Sequence, residues 1–217
     1  MEKEDIEKIV DILKEMPTLW NGRKAILEMK KAKFNQWKQM EWIGFYFEFL
    51  CQKYFKDIME FHKIKYGNVK FDGFYKVPFD FKAHAINTES HQVIINDTEA
   101  TIKAIEEYGF VIVIMALGEV EYNDVERTFQ KWHENLKGGK SNYELERIKR
   151  GAISRLRKCE FDLKEIMLIK IDKSTLEKCG SFQKDFRNAD GSPRRSKVLL
   201  NLEELNDEEV IRRIAFE

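Results

Sequence analysis

Cysteine and proline are both scarce in this 217-residue chain, at three residues each. Cys51, Cys159 and Cys179 are an odd number without paired short spacing, which excludes a disulfide framework and a cysteine zinc site. Reduced thiols in a cytoplasm are the expectation. So little proline, with no low-complexity tract, excludes long disordered linkers. A long apolar run is missing as well. The most hydrophobic stretch, VIVIMAL at 111–117, is far short of the roughly 20 residues a membrane helix needs. The start, MEKEDIEKIVDILKEM, is acidic rather than basic-then-apolar, so no signal sequence is expected. Excess charge of either sign is absent too, because 38 Lys+Arg balance 38 Asp+Glu. That excludes a wholly basic scaffold or an acidic tail, but not a basic cleft offset by an acidic exterior. A Gly-rich dinucleotide fingerprint and a phosphate loop are also lacking.

What the chain does have is apolar material, at 43% hydrophobic and 12% aromatic residues, enough for the core of one domain. Residues 4–16 carry Ile6, Ile9, Val10, Ile12 and Leu13 at helical spacing, and Pro17 ends that helix. A second helical stretch is predicted over 23–61, broken near Phe34–Asn35; its later part, MEWIGFYFEFLCQKYF, belongs at the centre of the fold. Over 69–86 the pattern turns strand-like, with a Gly and a Pro suited to turns or bulges. QVII at 92–95 is another short strand, and Asn96-Asp97-Thr98-Glu99 offers an N-cap for a helix over 100–108, closed by Gly109. The run 110–117 has the continuous apolar character of a strand buried on both faces. Helices are expected over 122–136 and 143–158, a strand over 165–171, a strand at VLLNL, and a helical tail whose start is the acidic 203–209. The order predicts a single α/β domain over 1–217 with a mixed β-sheet flanked by helices, an N-terminal helical segment (1–35) and a basic C-terminal segment (180–217).

The chemistry centres on PFDFK at 78–82. On a strand, Asp80 and Lys82 share one face and Phe79, Phe81 and Ala83 the other. Asp72, eight residues earlier, suits a neighbouring strand across a turn near Gly73–Lys76. Two carboxylates so placed could hold one hard divalent cation through oxygen, and Lys82 could hold, or help deprotonate, a water acidified by it. Glu48 lies inside FYFEFLC, where helical spacing groups Gly44, Phe47, Glu48, Cys51 and Phe55 on one face. A carboxylate there needs a metal, Lys82 or an arginine to offset its burial. Gly44, one turn earlier, is expected to allow close approach to the hairpin. The plain alternatives are a surface ion pair at Asp80/Lys82 and a rim glutamate at Glu48.

The sequence GFYFE at 44–48, then Asp72, then PFDFK, resembles the PD-(D/E)xK nuclease superfamily and, more narrowly, small type II restriction endonucleases. Those families place a glutamate on a helix before a strand hairpin, an aspartate on the hairpin and an acid-x-Lys on its second strand. By position, Glu48 matches the helix glutamate, Asp72 the hairpin aspartate, and Asp80-Phe81-Lys82 the acid-x-Lys. Two departures stand out: the second acid is Asp rather than Glu, and the spacing from Asp72 to Asp80 is short. The resemblance implies a restriction-endonuclease-like core. It implies Glu48, Asp72, Asp80 and Lys82 as catalytic residues, with the three acids holding Mg²⁺, or Mn²⁺ in its place. It further implies hydrolysis of double-stranded DNA at a short palindromic site with 5′-phosphate ends, a homodimer, and a prokaryotic cytoplasm. A structure-specific or repair nuclease of the junction-resolvase type, and a catalytically inactive DNA-binding protein, are the alternatives.

A nuclease needs phosphate and base contacts. Candidates before the helix are Lys31, Lys33, Asn35, Gln36, Lys38 and Gln39; in the C-terminal loop FRNADGSPRRSK they are Arg187, Asn188, Arg194, Arg195 and Lys197. Arg147, Lys149, Arg150, Arg155 and Arg157 form a third basic cluster. His84 shares strand parity with Asp80 and Lys82, as a ligand, a base or merely a polar neighbour. Trp37, among polar neighbours, is the aromatic residue to examine for base stacking.

Overall fold

The computed structural model describes residues 1–61, 70–122, 125–152, 156–183 and 193–216. Three helices come first, α1 (Lys3–Lys14), α2 (Gly22–Lys31) and α3 (Trp42–Tyr54), with strand β1 (Leu19–Asn21) between α1 and α2. Strands β2 (Glu60–Phe61), β3 (Gly73–Tyr75), β4 (Val77–Ala85) and β5 (Gln92–Asp97) follow, then α4 (Thr98–Tyr108) and the long β6 (Val111–Tyr122). Helices α5 (Thr128–Lys137) and α6 (Asn142–Lys149) precede β7 (Lys158–Ile171). The chain closes with α7 (Lys173–Cys179), β8 (Gly180–Gln183), β9 (Lys197–Asn201) and β10 (Val210–Ala215).

Seven strands make a mixed sheet in the order β1-β7-β6-β4-β3-β2, with β10 also on β7. Among the described residues only β4 and β6 run parallel; the hairpins β2-β3-β4 and the β6-β7 pair are antiparallel. Strands β5, β9 and β8 form a second small sheet. Strand β6 explains why there are two cores. Its Ile112, Ile114 and Ala116 pack with α1, α2 and α3, while Val111, Val113, Met115 and Leu117 pack with α4, α7, β5 and β9. A strand buried on both faces carries no polar alternation, as its sequence shows. The protein is thus mixed α/β, with helices on both sides of the sheet. Among the described residues no helix is long and apolar enough to cross a membrane. Cys51, Cys159 and Cys179 are buried, and none of them is in a disulfide among the described residues.

Three expectations are corrected. The stretch 23–61 is not one helix with a single break. A 3-10 turn at Asn35–Lys38 separates α2 from α3, and after Tyr54 the chain leaves the helix so that Glu60 and Phe61 pair with Phe74 and Gly73. Helix α6 stops at Lys149, and by Lys158 the chain is a strand, in which Cys159, Phe161 and Leu163 are buried at period two. The tail is not helical. Residues 202–204 make one 3-10 turn, and Val210–Ala215 pairs antiparallel with β7, placing Ile214 opposite Ile166. Pairing with an open strand outweighs local helix propensity there.

Candidate active site

Strand β4 alternates as its sequence predicts. Val77, Phe79 and Phe81 enter the first core, beside α3, whose Phe47 meets Phe81 edge-on at 6.5 Å between ring centroids. Asp80 and Lys82 take the opposite face, in register with Val113 and Met115 of β6. The β3-β4 hairpin turns at Lys76, whose φ is 61°. Outside this tip, α1 holds the hairpin down: Asp5 accepts from Lys76 Nζ at 2.8 Å and from the Tyr75 hydroxyl at 2.8 Å.

At the other end of the hairpin the ladder runs out. The last β3-β4 pair is Gly73 with Phe79, so Asp72 lies one register step further, across from Asp80. The Asp72 side chain takes over from the ladder: its Oδ2 accepts the Phe81 N–H at 2.8 Å. This bond fixes the first hairpin acid on the strand that carries the second acid and the amine. Lys82 Nζ lies 2.6 Å from Asp80 Oδ2 and 3.8 Å from Asp72 Oδ2, and donates to the Phe81 carbonyl at 3.3 Å. The Asp80 side chain is only 3% exposed. Its Oδ2 is buried against the Lys82 ammonium.

Glu48, from the middle of α3, completes the cluster. It is buried, and Gln52 Nε2 donates to its Oε1 at 3.3 Å. Burial, then the Asp72 and Asp80 carboxylates, push its pKa up to about 8 against the pull of Lys82. Burial also pushes Asp80 up to about 8, with Asp72 adding to the shift and Lys82 opposing it. For Lys82, burial pulls downward, but Asp80, Asp72 and Glu48 outweigh it and the net shift is upward. The ammonium is therefore held protonated, and in this arrangement it donates hydrogen bonds rather than taking a proton. Gly44 does not serve as expected: a Cβ built there meets nothing within 4 Å, so the hairpin does not approach it.

In this arrangement an ammonium lies between the two hairpin carboxylates. Among the described residues no three His, Cys, Asp or Glu side chains stand ready to hold a metal ion. The donor chemistry still fits a hard divalent cation. Among the described residues three carboxyl groups gather around one ammonium, and all the acid ligands are oxygen. Asp72 and Asp80 are the residues best placed to share such an ion, with Glu48 beside them.

The remaining predicted residues scatter. Lys31, Lys33, Asn35 and Lys38 are exposed beside α3, and Gln39 is half-buried, but Gln36 is buried and offers its amide to no groove. Trp37 is buried too, with Lys30 and Lys38 over its ring at 5.1 and 5.6 Å, which removes it as a stacking platform. Arg194 and Arg195 are exposed and Lys197 half-buried, on and before β9; Arg187 and Asn188 lie outside the described residues. The third basic cluster is broken up. Arg157 is buried 3.9 Å from Glu144, Lys149 pairs with Glu146, and Arg155 lies outside the described residues. His84 Nε2 donates to the Ser90 carbonyl at 2.7 Å; burial lowers its pKa, and the acids of the cluster are not among the groups acting on it. Gln52 was missed, although the spacing Glu48 to Gln52 is the helical i, i+4 signal for such a bond.

No family model matches the sequence, and no curated protein matches it. Among solved structures, the restriction endonuclease BglI bound to its DNA recognition sequence matches over 82% of this chain and 73% of that one, at 11% identity. Its TM-score of 0.34 is too low for the likeness to carry weight of its own.

Proposed function

We propose that the protein is a divalent-metal-dependent type II deoxyribonuclease that hydrolyses double-stranded DNA at a short specific site. One observation carries this reading. A helix glutamate, a hairpin aspartate and an acid-x-Lys strand, distant in sequence, meet as one largely buried cluster of three carboxyl groups and one amine. Perturbed carboxylates gathered around a lysine are the mark of a chemical site rather than a surface ion pair.

A hard divalent cation, Mg²⁺ or Mn²⁺ in its place, supplies Lewis-acid neutralisation of the phosphate charge when bound. The chain's own groups do the rest. Asp72 and Asp80 fix where positive charge collects, and the Phe81 N–H orients Asp72. Lys82 presents a protonated amine to hold the attacking water or a non-bridging phosphate oxygen. The water oxygen bonds to phosphorus as the bond to the 3′ oxygen breaks. The water gives up a proton and the 3′ oxygen takes one, leaving 5′-phosphate and 3′-hydroxyl ends. Exposed Lys31, Lys33 and Lys38 with Arg194 and Arg195 would grip phosphates, and a homodimer would match a palindromic site.

Incubation with plasmid or phage DNA and Mg²⁺, followed by sequencing of fragment ends, tests the proposal. Discrete ends at one short sequence are expected. Intact DNA with either metal, while the protein still binds it, would leave a DNA-binding protein without this chemistry; cleavage confined to branched junctions would make it a resolvase.

A further inference from the structure

Beside the acid cluster, on the same sheet face, lies a cavity of about 510 Å³ between the β3-β4 hairpin and α4. That volume is within the roughly 300–1,000 Å³ of small-molecule sites. Gly73, next to Asp72, and Pro78, two residues before Asp80, form part of its wall. The aromatic side is built by Phe71 and by Phe74, whose ring meets Tyr108 of α4 edge-on at 5.5 Å. Exposed Lys103 and Arg195 stand at its rim. The carboxylates Glu99 and Glu107 line it as well, and Glu107 is engaged by the Tyr108 hydroxyl.

Asp97 also lines the cavity, and it is 2% exposed. Its Oδ1 caps α4, accepting from Ala100 N at 3.2 Å. Its Oδ2 is buried and has no hydrogen-bond partner among the described residues. A buried carboxylate oxygen without a donor is costly, and helix capping needs only the other oxygen. A flat apolar wall, a bare acceptor and cations at the rim together fit one kind of ligand: a nucleotide.

We propose that this cavity is a nucleotide pocket selective for a base with an exocyclic amino group. The amino N–H donates to Asp97 Oδ2, the ring lies against Phe71 and Phe74, and Arg195 and Lys103 meet the phosphate. Two sources share this chemistry: a base extruded from DNA beside the cleaved strand, and a free mononucleotide. The pocket rests on the nuclease reading only in that both would handle DNA, and assays without divalent cation separate the two.

The test is calorimetric titration of the intact protein, in chelator, with dAMP, dCMP and dTMP. The amino-bearing nucleotides are expected to bind at least about tenfold tighter than dTMP. Asp97→Asn keeps the helix cap but turns the free acceptor into a donor, and should abolish or invert that preference. Arg195→Ala, at an exposed position, should weaken the nucleotides while leaving the free nucleosides unchanged. Equal binding of all three nucleotides, binding of none, or a preference that survives Asp97→Asn would overturn the proposal. Duplexes containing 2-aminopurine then assign the source. A fluorescence rise with wild type that is absent in Asp97→Asn assigns the pocket to an extruded base. No rise, with the mononucleotide preference intact, assigns it to a free nucleotide. Loss of cleavage activity with this preference retained would sink the nuclease reading alone.

Discussion

The two ends of the β3-β4 hairpin carry the same residue types in opposite electrostatic states. At the tip, one carboxylate, Asp5, is served by the Lys76 ammonium, the Glu2 N–H and the Tyr75 hydroxyl, and these hold its carboxyl down at about 2. At the base, Asp72, Asp80 and Glu48 share a single ammonium among the described residues, and burial with mutual repulsion lifts two of them to about 8. The tip is a balanced clamp that anchors the hairpin to α1. The base is an unbalanced cluster left short of positive charge, the condition a cation-binding site requires and a structural ion pair avoids.

The largest expected break in this contrast is Lys82→Ala. Losing the one ammonium of the base should reduce DNA cleavage by about 10²–10³-fold or more while DNA binding stays measurable by gel shift; wild-type turnover in the variant would remove Lys82 from the site. Asp80→Asn and Asp5→Asn should next separate in sign. In chelator at pH 8–9, Asp80→Asn should raise the melting temperature of the ion-free protein by relieving repulsion, and abolish Mn²⁺ binding by calorimetry. Asp5→Asn should lower the melting temperature and leave Mn²⁺ binding alone. A shift of both in one direction would show that the two ends do not differ.

Titration gives a third way to sharpen it. Glu48 and Asp80 have folded pKa values raised above their unfolded ones. The stability tied to their protons is therefore full below about pH 4 and is lost as pH rises through about 8. Asp5 has a lowered folded pKa, so its contribution is present above about pH 4 and is lost as pH falls towards about 2. Melting curves in chelator should therefore fall from pH 5 to 9, and the stabilisation added by Mn²⁺ should grow over the same range; a Mn²⁺ effect independent of pH would contradict the raised acids. A smaller effect is expected at Arg194→Ala, with binding weakened a few-fold and the salt slope lowered by about 1, as read by titration at several ionic strengths. The smallest is Gly44→Ala. With open space around the new methyl group, it should stabilise α3 by about 0.5–1 kcal/mol.

Much of the site was legible in the residues, for local reasons. The parity of PFDFK placed Asp80 and Lys82 together, because side chains alternate on any strand. Glu48 stood out as a carboxylate in an apolar helix, and it is buried as that context demanded. Other features hung on partners remote in sequence. Gln36 and Trp37 look polar and exposed in a basic segment, yet both are buried. The tail of the chain has helical composition, yet it became β10 because β7 offered it an unpaired edge. Strand β7 itself began seven residues before the predicted 165, its period-two burial masked by charged neighbours.

By itself the sequence determined the strand and helix periods, the apolar β6 that must be covered on both faces, and the set of three acids and one amine. These follow from nearest-neighbour geometry and from the cost of leaving apolar surface in water. Only the tertiary structure decided that the ladder stops at Gly73, so that Asp72 turns its carboxylate to the Phe81 N–H and lies across from Asp80. It also decided that one ammonium serves three carboxylates, because charge balance in a buried site depends on which distant groups share it.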